Sequence, residues 1–320
     1  MEWSGMWAGL AAVRPVLQAH ACLLAGTASP PLQQLSAGAA SAIMHNDEAS
    51  GSRPRGHADR RKRRDNQGGR SPGAPRTASS DTVELYGLHA VAAALGNSER
   101  RVLEMYVTEN AERRLAEAIG ARAIVTERVS PRDLDRRLGA DTVHQGALLV
   151  AAPLPEPPFE ALAESAHDGH PLIVLDQVTD PHNVGAILRS AAVFGCGGLI
   201  MTRRHSPPLN GTLAKSASGA LELVPVHLTQ NLGRALAALA EAGILTVGLD
   251  GTAETSLGEA PLSGAIALVL GAEGKGLRQS SREACAHVVR IEAAGALTSL
   301  NVSNAAAIAL YAAAAARRGA

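Results

Sequence analysis

The chain is predicted to be an α/β protein with a parallel sheet that helices cover on both faces. Two observations support this prediction. Short apolar runs alternate with longer helical patterns over residues 171–320, and the runs are rich in β-branched residues without polar alternation. Strands of that composition are typical of sheets that are buried on both faces. Ligands of such sheets bind beyond the carboxyl ends of the strands.

The alternation assigns the individual elements of this region. The predicted strands are 172–175, 199–201, 223–226, 245–249, 266–270 and 288–291. The predicted helices are 184–194, 213–220, 232–242, 276–286 and 305–316. The last helix is rich in alanine, which has the highest intrinsic helix propensity.

A smaller α/β unit is predicted to precede this region, over residues 81–152. Its predicted helices are 88–95 and 112–119, and its predicted strands are 102–107, 123–125 and 147–150. Four prolines between Pro153 and Pro158 predict a stiff linker. We therefore divide the chain into an extension (1–80), a small domain (81–152), a linker (153–170) and a large domain (171–320).

The amino-terminal extension is unlike the rest of the chain. Residues 45–80 are rich in Gly, Ser, Pro and Arg. They are predicted to be disordered because they have little apolar surface to bury. The basic run 60–64 fits either a solvated tail or an arm that contacts nucleic-acid phosphates. A polar stretch suited to a cytosolic start opens at Met44, so we expect the functional protein to begin there.

Composition excludes several classes of function. The chain carries 30 Lys and Arg against 30 Asp and Glu, so acidic residues elsewhere balance the basic run. Aromatic residues are only 2%, so stacking on bases cannot be the main mode of binding. The three cysteines, Cys22, Cys196 and Cys285, are far apart, which argues for a reducing compartment and against a zinc ribbon. We expect a cytoplasmic protein with no metal site and no membrane span.

Polar residues follow three of the predicted strands. The first group, residues 180–191, contains Asn183 and Arg189. Asn183 is expected to cap the following helix, which places Arg189 about two turns further along. Because the helix is otherwise apolar, Arg189 is predicted to project toward a group that it recognises.

The second group is a glycine-rich loop, residues 269–277, after the strand 266–270. Its three glycines allow a ligand to approach the backbone closely, although a plain turn with Glu273 on the surface would have the same sequence. The phosphate-loop motif does not fit, because Gly276 follows Lys275 where Ser or Thr is required. The dinucleotide motif GxGxxG is also absent.

The third group precedes the alanine-rich helix and consists of Ser299, Asn301, Ser303 and Asn304. A helix needs only one such residue as its cap, and here there are four. The helix behind them has mostly small side chains, so it can lie close against another backbone. We interpret the group as a polar loop at the edge of a pocket.

The three groups together resemble the motifs of the SpoU (TrmH) family of RNA 2′-O-ribose methyltransferases. The family elements are Asn-x-Gly-x-x-x-Arg-Ser-Ala, Leu-Gly-x-Glu-x-x-Gly and Ser-Leu-Asn-Val-Ser. The matching residues are Asn183, Gly185, Arg189, Ser190, Ala191, Leu270, Gly271, Glu273, Gly276 and 299–303. Residues 86–91 and 143–146 look like the family's amino-terminal RNA-binding domain, which is similar to ribosomal protein L30e. One departure is Glu292-Ala293, where the family has Pro-Met.

The resemblance implies a fold, a cofactor and a site. It implies a SPOUT-type methyltransferase domain with a deep trefoil knot, an L30e-like amino-terminal domain, a homodimer, S-adenosylmethionine as cofactor and RNA as substrate. The implied cofactor contacts are Leu270, Gly271, Ile291, Leu300 and Asn301. The implied catalytic residues are Arg189, Asn183, Glu273, Ser299 and Asn301.

The implied reaction passes a methyl group from a sulfonium to a ribose 2′-hydroxyl. Within the family, the chain most resembles the members that modify a guanosine of 23S rRNA. Arg189 would either grip the adjacent phosphate with two parallel hydrogen bonds or act as the general base that is proposed for the family. We favour the first role because an arginine proton is very hard to remove. Asn183 and Asn301 would hold the ribose or Arg189, Ser299 would bond the reacting region, and Glu273 would fix the glycine loop or Arg189. The alternatives are a tRNA substrate and an RNA-binding ribosome-assembly factor without activity.

Overall fold

A computed structural model describes residues 82–295 and 299–319 of the chain. The predictions for the extension 1–80, including the basic run and the start at Met44, lie outside these residues. The described residues form two sheets, one of four strands and one of seven.

The small domain is built on the four-stranded sheet, in the order β1-β4-β2-β3. Its strands are β1 (Val83–Tyr86), β2 (Val102–Val107), β3 (Glu127–Arg128) and β4 (Ala147–Ala151). Its helices are α1 (Leu88–Gly96), α2 (Glu109–Arg122) and α3 (Pro131–Leu138). The central strand β4 is buried along its whole length and pairs antiparallel with both β1 and β2.

The large domain holds the seven-stranded sheet, in the order β7-β6-β5-β10-β8-β11-β9. Every pairing in it is parallel. The strands are β5 (Leu172–Asp176), β6 (Gly198–Thr202), β7 (Val226–Thr229), β8 (Leu245–Leu249), β9 (Thr255–Ser256), β10 (Ile266–Gly271) and β11 (His287–Arg290). The helices are α4 (Phe159–His167), α5 (Pro181–Phe194), α6 (Gly211–Ser216), α7 (Leu232–Glu241), α8 (Gln279–Glu283) and α9 (Val302–Gly319).

Helices cover both faces of this sheet, as predicted. Ile173 and Leu175 of β5 point into one apolar cluster, which includes residues of α5 and α9. Leu172 and Val174, on the opposite face of the same strand, point into a second cluster with α4 and α7. The period of two along a strand separates these sets. The α/β parallel-sheet prediction is therefore confirmed.

Two strand predictions were wrong, each for a local reason. The apolar run 123–125 is not a strand because α2 continues to Arg122 and ends at Ala123, which has a left-handed φ of 51°. The strand predicted at 223–226 begins only at Val226. The residues before it form a 3₁₀ turn, Ala220–Glu222, whose Glu222 is held by the small domain.

Two helix predictions were too long, the first at its carboxyl end and the second at both ends. The helix predicted at 213–220 ends at Ser216 because Ser218 and Gly219 both have positive φ. The helix predicted at 276–286 spans only Gln279–Glu283, because Gly276 instead forms a bridge back to Ala272. In addition, the predicted linker 153–170 contains helix α4, whose Leu162 is buried in the core of the large domain.

The two domains join through buried polar contacts. Arg100 of the small domain donates to Glu222 of the large domain at 2.6 Å, and the exposed fractions of the two side chains are 3% and 2%. Asn97 donates to the same carboxylate at 2.9 Å. Tyr86 bonds Thr212 through their hydroxyl oxygens at 2.8 Å. A Cβ on Gly211 would lie 2.3 Å from the carbonyl oxygen of Glu84, so the backbones meet without an intervening side chain.

No helix of the part that the structure describes is long and apolar enough to cross a membrane.

Candidate functional site

The site lies where the central strands of the large sheet end. Strands β5 and β10 are neighbours, and their last residues, Asp176 and Gly271, are paired in register. Helix α5 follows β5, and the glycine-rich loop follows β10. Because both strands are parallel, the two predicted motif segments leave the same edge of the sheet.

Three side chains, one from each predicted motif, form a hydrogen-bond network at this edge. Asn183 donates from Nδ2 to Oε2 of Glu273 at 3.1 Å. Asn301 donates from Nδ2 to Oδ1 of Asn183 at 2.9 Å and to Oε1 of Glu273 at 3.3 Å. Residues far apart in sequence therefore meet around one carboxylate. We call Asn183, Glu273 and Asn301 the polar network.

Asn301 is both a helix cap and a member of this network. Its Oδ1 accepts from the backbone N of Ser303 at 2.8 Å and from the Ser303 hydroxyl at 2.6 Å. Its amide nitrogen remains free to bond the other two residues. An ordinary N-cap thus fixes the rotamer of a side chain whose other end lies in the site.

Asn183 is not the cap of α5, contrary to the prediction. Asp180 caps that helix by accepting from the backbone N of His182 at 2.9 Å. Asn183 lies in the first turn and is buried, so its side chain is committed to Glu273 and Asn301. The sequence places a cap-type residue at both 180 and 183, and the Pro181 between them favours the earlier start, because proline suits the first helical position.

The glycine loop folds tightly on itself. A Cβ on Gly271 would lie 2.1 Å from the backbone of Gly276, so the missing side chain makes room for the chain's own backbone rather than for a ligand. Gly276 has a φ of 66°, which favours glycine. Glu273 stands at the exposed tip of this loop, between the two glycines.

Two aspartates that the sequence analysis did not single out hold the segment after this loop. Asp176 is buried and accepts from the backbone N of Arg278 at 3.2 Å and from its Nε at 2.7 Å. Asp250, just after β8, pairs with Arg282 at 2.9 Å. Burial would raise the pKa of Asp250, but hydrogen bonds from Thr252 and the charge of Arg282 together lower it. Both aspartates stand at the carboxyl end of a buried strand, and this position in the sequence could have identified them.

Comparison with known proteins identifies the family. A model of the SpoU rRNA methylase family matches residues 170–311, and a model of the RNA 2′-O ribose methyltransferase substrate-binding domain matches residues 85–157. The chain is 39% identical over 244 residues to the 23S rRNA (guanosine-2′-O-)-methyltransferase RlmB of Shewanella oneidensis, which covers 73% of this chain and 97% of that protein. The chain belongs to the SpoU rRNA methylase family.

A second relative agrees with this assignment, and two solved structures share the fold. RlmB of Pseudomonas aeruginosa is 39% identical over 240 residues, which cover 72% of this chain and 96% of that protein. The fold is similar to that of the SpoU methyltransferase AviRb from Streptomyces viridochromogenes in complex with AdoMet (TM-score 0.63, 24% identity, 74% of this chain and 90% of that chain). It is also similar to the AdoMet-bound rRNA methyltransferase from Sinorhizobium meliloti (TM-score 0.59, 21% identity, 73% of this chain and 87% of that chain).

Arg189, the arginine of the first predicted motif, forms no bond with the polar network. Its side chain is exposed, and its guanidinium forms no hydrogen bond or ion pair with any residue in 82–295 or 299–319. The predicted contacts of Arg189 with Asn183, Asn301 or Glu273 are therefore not present. An unpaired arginine on the surface of an otherwise apolar helix is free to take a ligand.

The remaining predicted site residues differ in exposure. Leu270 is only 1% exposed, so its side chain belongs to the core and only its backbone could contact a cofactor. Ile291 is half-buried and packs against the core. Leu300 is 48% exposed beside Asn301, and Ser299 is exposed as well. Leu300 thus offers an exposed apolar side chain next to Asn301 of the polar network, and Ile291 lies directly after β11 of the same parallel sheet.

The arrangement can position a polar substrate beside a carboxylate. Glu273 accepts from two neutral amides and has no cationic partner among the described residues, so its exposed carboxylate keeps acceptor positions free. Within the same residues, no cluster of three or more His, Cys, Asp or Glu side chains could hold a metal ion.

Proposed function

We propose that this protein transfers a methyl group from S-adenosylmethionine to the 2′-hydroxyl of a guanosine ribose in 23S rRNA. The observation that supports it best is the polar network, because one residue of each SpoU motif contributes to it at the carboxyl ends of β5 and β10. The relatives that match most of the chain are 23S rRNA (guanosine-2′-O-)-methyltransferases.

The residues at the sheet edge fit the cofactor. Leu300, which is 48% exposed at that edge, would pack with Ile291 against the apolar parts of the cofactor. The backbone at Gly271 would bond its polar atoms. When bound, the cofactor supplies a methyl group on a positively charged sulfur. The chain must then hold the ribose hydroxyl in line with that methyl group, and such alignment accounts for much of the rate in a transfer of this kind.

The polar network would orient the ribose. Both amides of the network are already bonded to Glu273, so the carboxylate is held in one position before substrate arrives. One of its free acceptor positions would accept a hydrogen bond from the 2′-hydroxyl, which would turn a lone pair of the hydroxyl oxygen toward the methyl group. Ser299, exposed beside Leu300, would hydrogen-bond the same region.

Arg189 would hold the phosphate next to the reacting ribose. Its guanidinium is unpaired and exposed, and it can form two parallel hydrogen bonds with a phosphate. Arg189→Ala should abolish transfer of labelled methyl groups to rRNA, while calorimetry shows nearly normal cofactor binding and the unfolding temperature is unchanged. Arg234→Ala, which removes another exposed arginine far along the chain, is the matched control.

The pH profile separates the two roles of Arg189. If it only orients the phosphate, Arg189→Lys should keep the wild-type pH–rate shape at a lower plateau. If it is the base, the profile of that variant should move along the pH axis. A fully active Arg189→Ala protein would refute both roles.

The substrate RNA is tested directly. Mass spectrometry of 23S rRNA and tRNA from a deletion strain should show one 2′-O-methylguanosine missing from the rRNA and no change in the tRNA. A methyl group missing only from tRNA would overturn the choice of substrate, and intact methylation of both RNAs would overturn the activity.

We also propose that the protein is a homodimer that pairs through α5 and α9. These packed helices expose Val193 (77%), Ile308 (40%) and Tyr311 (58%), and the ring of Tyr311 packs edge-on against Phe194. Arg189 lies one turn before Val193, so pairing here would place it near a second copy. Light scattering should give twice the chain mass, and Tyr311→Glu should give a monomer; a monomeric wild type would refute the dimer.

The family assignment also supports proposals about finer features of the fold. We propose that the carboxyl-terminal domain contains a trefoil knot, that the small domain is L30e-like and spans 81–152, and that the large domain includes α4 of the predicted linker 153–170. Arg317 of α9 donates to the carbonyl oxygen of Phe194 at 3.0 Å and also bonds Gly169, so the last helix returns to the start of the large domain. Pulling the termini of a knotted domain should leave it shorter than its full contour length.

A further inference from the structure

Two cavities flank one turn of the small domain. The first, about 670 Å³, is lined by Arg113, Arg114 and the turn His144–Gln145–Gly146. The second, about 140 Å³, lies on the other side of Gln145 and is lined by Gly87, His89, Lys215 and Ser218. Lys215 and Ser218 come from the large domain, so the second cavity lies at the junction of the two domains.

The turn between the cavities is held in one conformation. His144 bonds Asp135 from Nε2 at 3.0 Å and accepts from the backbone N of Gly146 at 3.0 Å. Gln145 has a φ of 55°, and its side chain accepts from the backbone N of Leu88 at 3.0 Å. The walls of both cavities are therefore formed before any ligand arrives.

Lys215 carries a positive charge into the second cavity without an acidic partner. Its stem lies over Gly87, where an added Cβ would be 3.5 Å from its Cγ. Its ammonium donates to the carbonyl oxygen of Val143 at 2.5 Å and forms no ion pair within the two described stretches. Partial burial lowers the pKa of Lys215. An ammonium has three N–H donors, so two remain for a ligand.

A hydrogen bond joins the residue after this lysine to the residue before Asn183. Ser216, the next residue, bonds Nδ1 of the exposed His182 at 3.0 Å. His182 precedes Asn183 of the polar network. A Cβ on Gly185 would lie 2.8 Å from the backbone of Ser216, so α5 and α6 are in close contact. The positions of Lys215 and the polar network are thus fixed relative to each other.

We propose that Lys215 binds a backbone phosphate of the substrate RNA where the strand passes from the small domain to the methyltransferase site. This inference rests on the proposed function. The cavity beside Lys215 is smaller than the roughly 300–1,000 Å³ of a typical small-molecule pocket, and its size suits a phosphate rather than a nucleoside. A phosphate would also supply the negative charge that the protein does not provide. Arg113 and Arg114 are exposed in the first cavity, on the other side of the turn.

The test compares three variants of the full chain with the wild type. Lys215→Met removes the charge, Lys215→Arg keeps it, and Arg234→Met removes an exposed charge elsewhere as the matched control. Binding to a fluorescent 23S rRNA transcript and to tRNA is measured against KCl concentration, and methyl transfer gives kcat and KM for the rRNA.

Lys215→Met should lower the slope of log Kd against log salt by about 0.7–0.9, the contribution of one phosphate contact. The same slope predicts about fivefold weaker binding near 0.1 M salt, seen as a higher KM with unchanged kcat. Lys215→Arg should restore the wild-type slope, and Arg234→Met should match the wild type.

Different results reject different statements. A wild-type slope and KM for Lys215→Met would overturn the phosphate site alone. A fall in kcat at saturating RNA without a change in slope would also overturn it, because Lys215 would then act on the structure. If Lys215→Met lowers the salt slope but the wild type transfers no methyl group, the proposed function would be overturned and the phosphate site would stand. A wild type that binds neither RNA would overturn both.

Discussion

The molecule contains two carboxylate clusters that resemble each other in bonding but differ in surroundings. Glu222 accepts from Arg100 and Asn97 and is almost completely buried at the domain junction. Glu273 accepts from Asn183 and Asn301 and is exposed. The first carboxylate has a cationic partner, and the second has only neutral amides.

This difference separates a contact that supports the fold from one that is available to a substrate. A buried charge must be paired, because removing its partner leaves an uncompensated ion in a medium of low dielectric constant. An exposed carboxylate needs no such partner, since water screens it. The amides around Glu273 therefore orient its carboxylate rather than compensate its charge, and they leave acceptor positions of the carboxylate open.

The largest effect should come from breaking the buried cluster. Arg100→Ala should lower the free energy of unfolding by about 3–5 kcal/mol, because Glu222 would remain buried without its cation. Arg128→Ala is the control: its pair with Glu112 is on the surface, with the arginine side chain 67% exposed, and its removal should cost about 1 kcal/mol or less. Urea unfolding measures both. Equal losses of stability in the two variants would show that burial does not make the Arg100–Glu222 pair more important than a surface pair.

The exposed cluster should affect rate rather than stability. Glu273→Gln cannot accept both amide bonds in the same way, and hydrogen bonds to a charged group contribute about 1.5–3 kcal/mol, so kcat should fall by about 10- to 150-fold. The unfolding midpoint in urea should not change. Glu283→Gln, a surface carboxylate bonded to Gln279 within α8, is the control. Loss of stability in Glu273→Gln with normal kcat would make its network structural.

The backbone beneath the exposed cluster can be tested at Gly271. Its missing Cβ is replaced by the backbone of Gly276, so Gly271→Ala should cost about 1–3 kcal/mol of stability and disturb Glu273 at the loop tip. Gly120→Ala has open space in α2 and should not destabilise the chain. Thermal unfolding compares them. A stable Gly271→Ala protein that only loses cofactor affinity would show that the glycine serves the ligand instead.

The smallest effect separates the two roles of Asn301. Asn301→Ser keeps a capping hydroxyl but removes the amide that bonds Asn183 and Glu273, so stability should change by less than about 0.5 kcal/mol while kcat falls about tenfold. Asn301→Asp also keeps the cap but places a second carboxylate beside Glu273, and its kcat should fall further. Full activity in the serine variant would make Asn301 a cap and nothing more.

The sequence by itself determined the class of fold and the candidate residues. Alternating β-branched runs and helical patterns were sufficient for the parallel sheet, because a strand buried on both faces leaves a pattern that few other elements share. The motifs selected Asn183, Glu273 and Asn301 as candidates, and the structure brings these three side chains together.

Only the tertiary structure decided what these residues contact. Arg189 was expected to meet the network but lies exposed, because its position on α5 is set by the apolar face that the helix buries. Gly271 was expected to face a ligand but packs on Gly276. Glu222 lay within no motif, yet it anchors the small domain through Arg100. Local patterns report burial and periodicity, whereas the partner of a polar group is fixed by residues that folding brings from elsewhere in the chain.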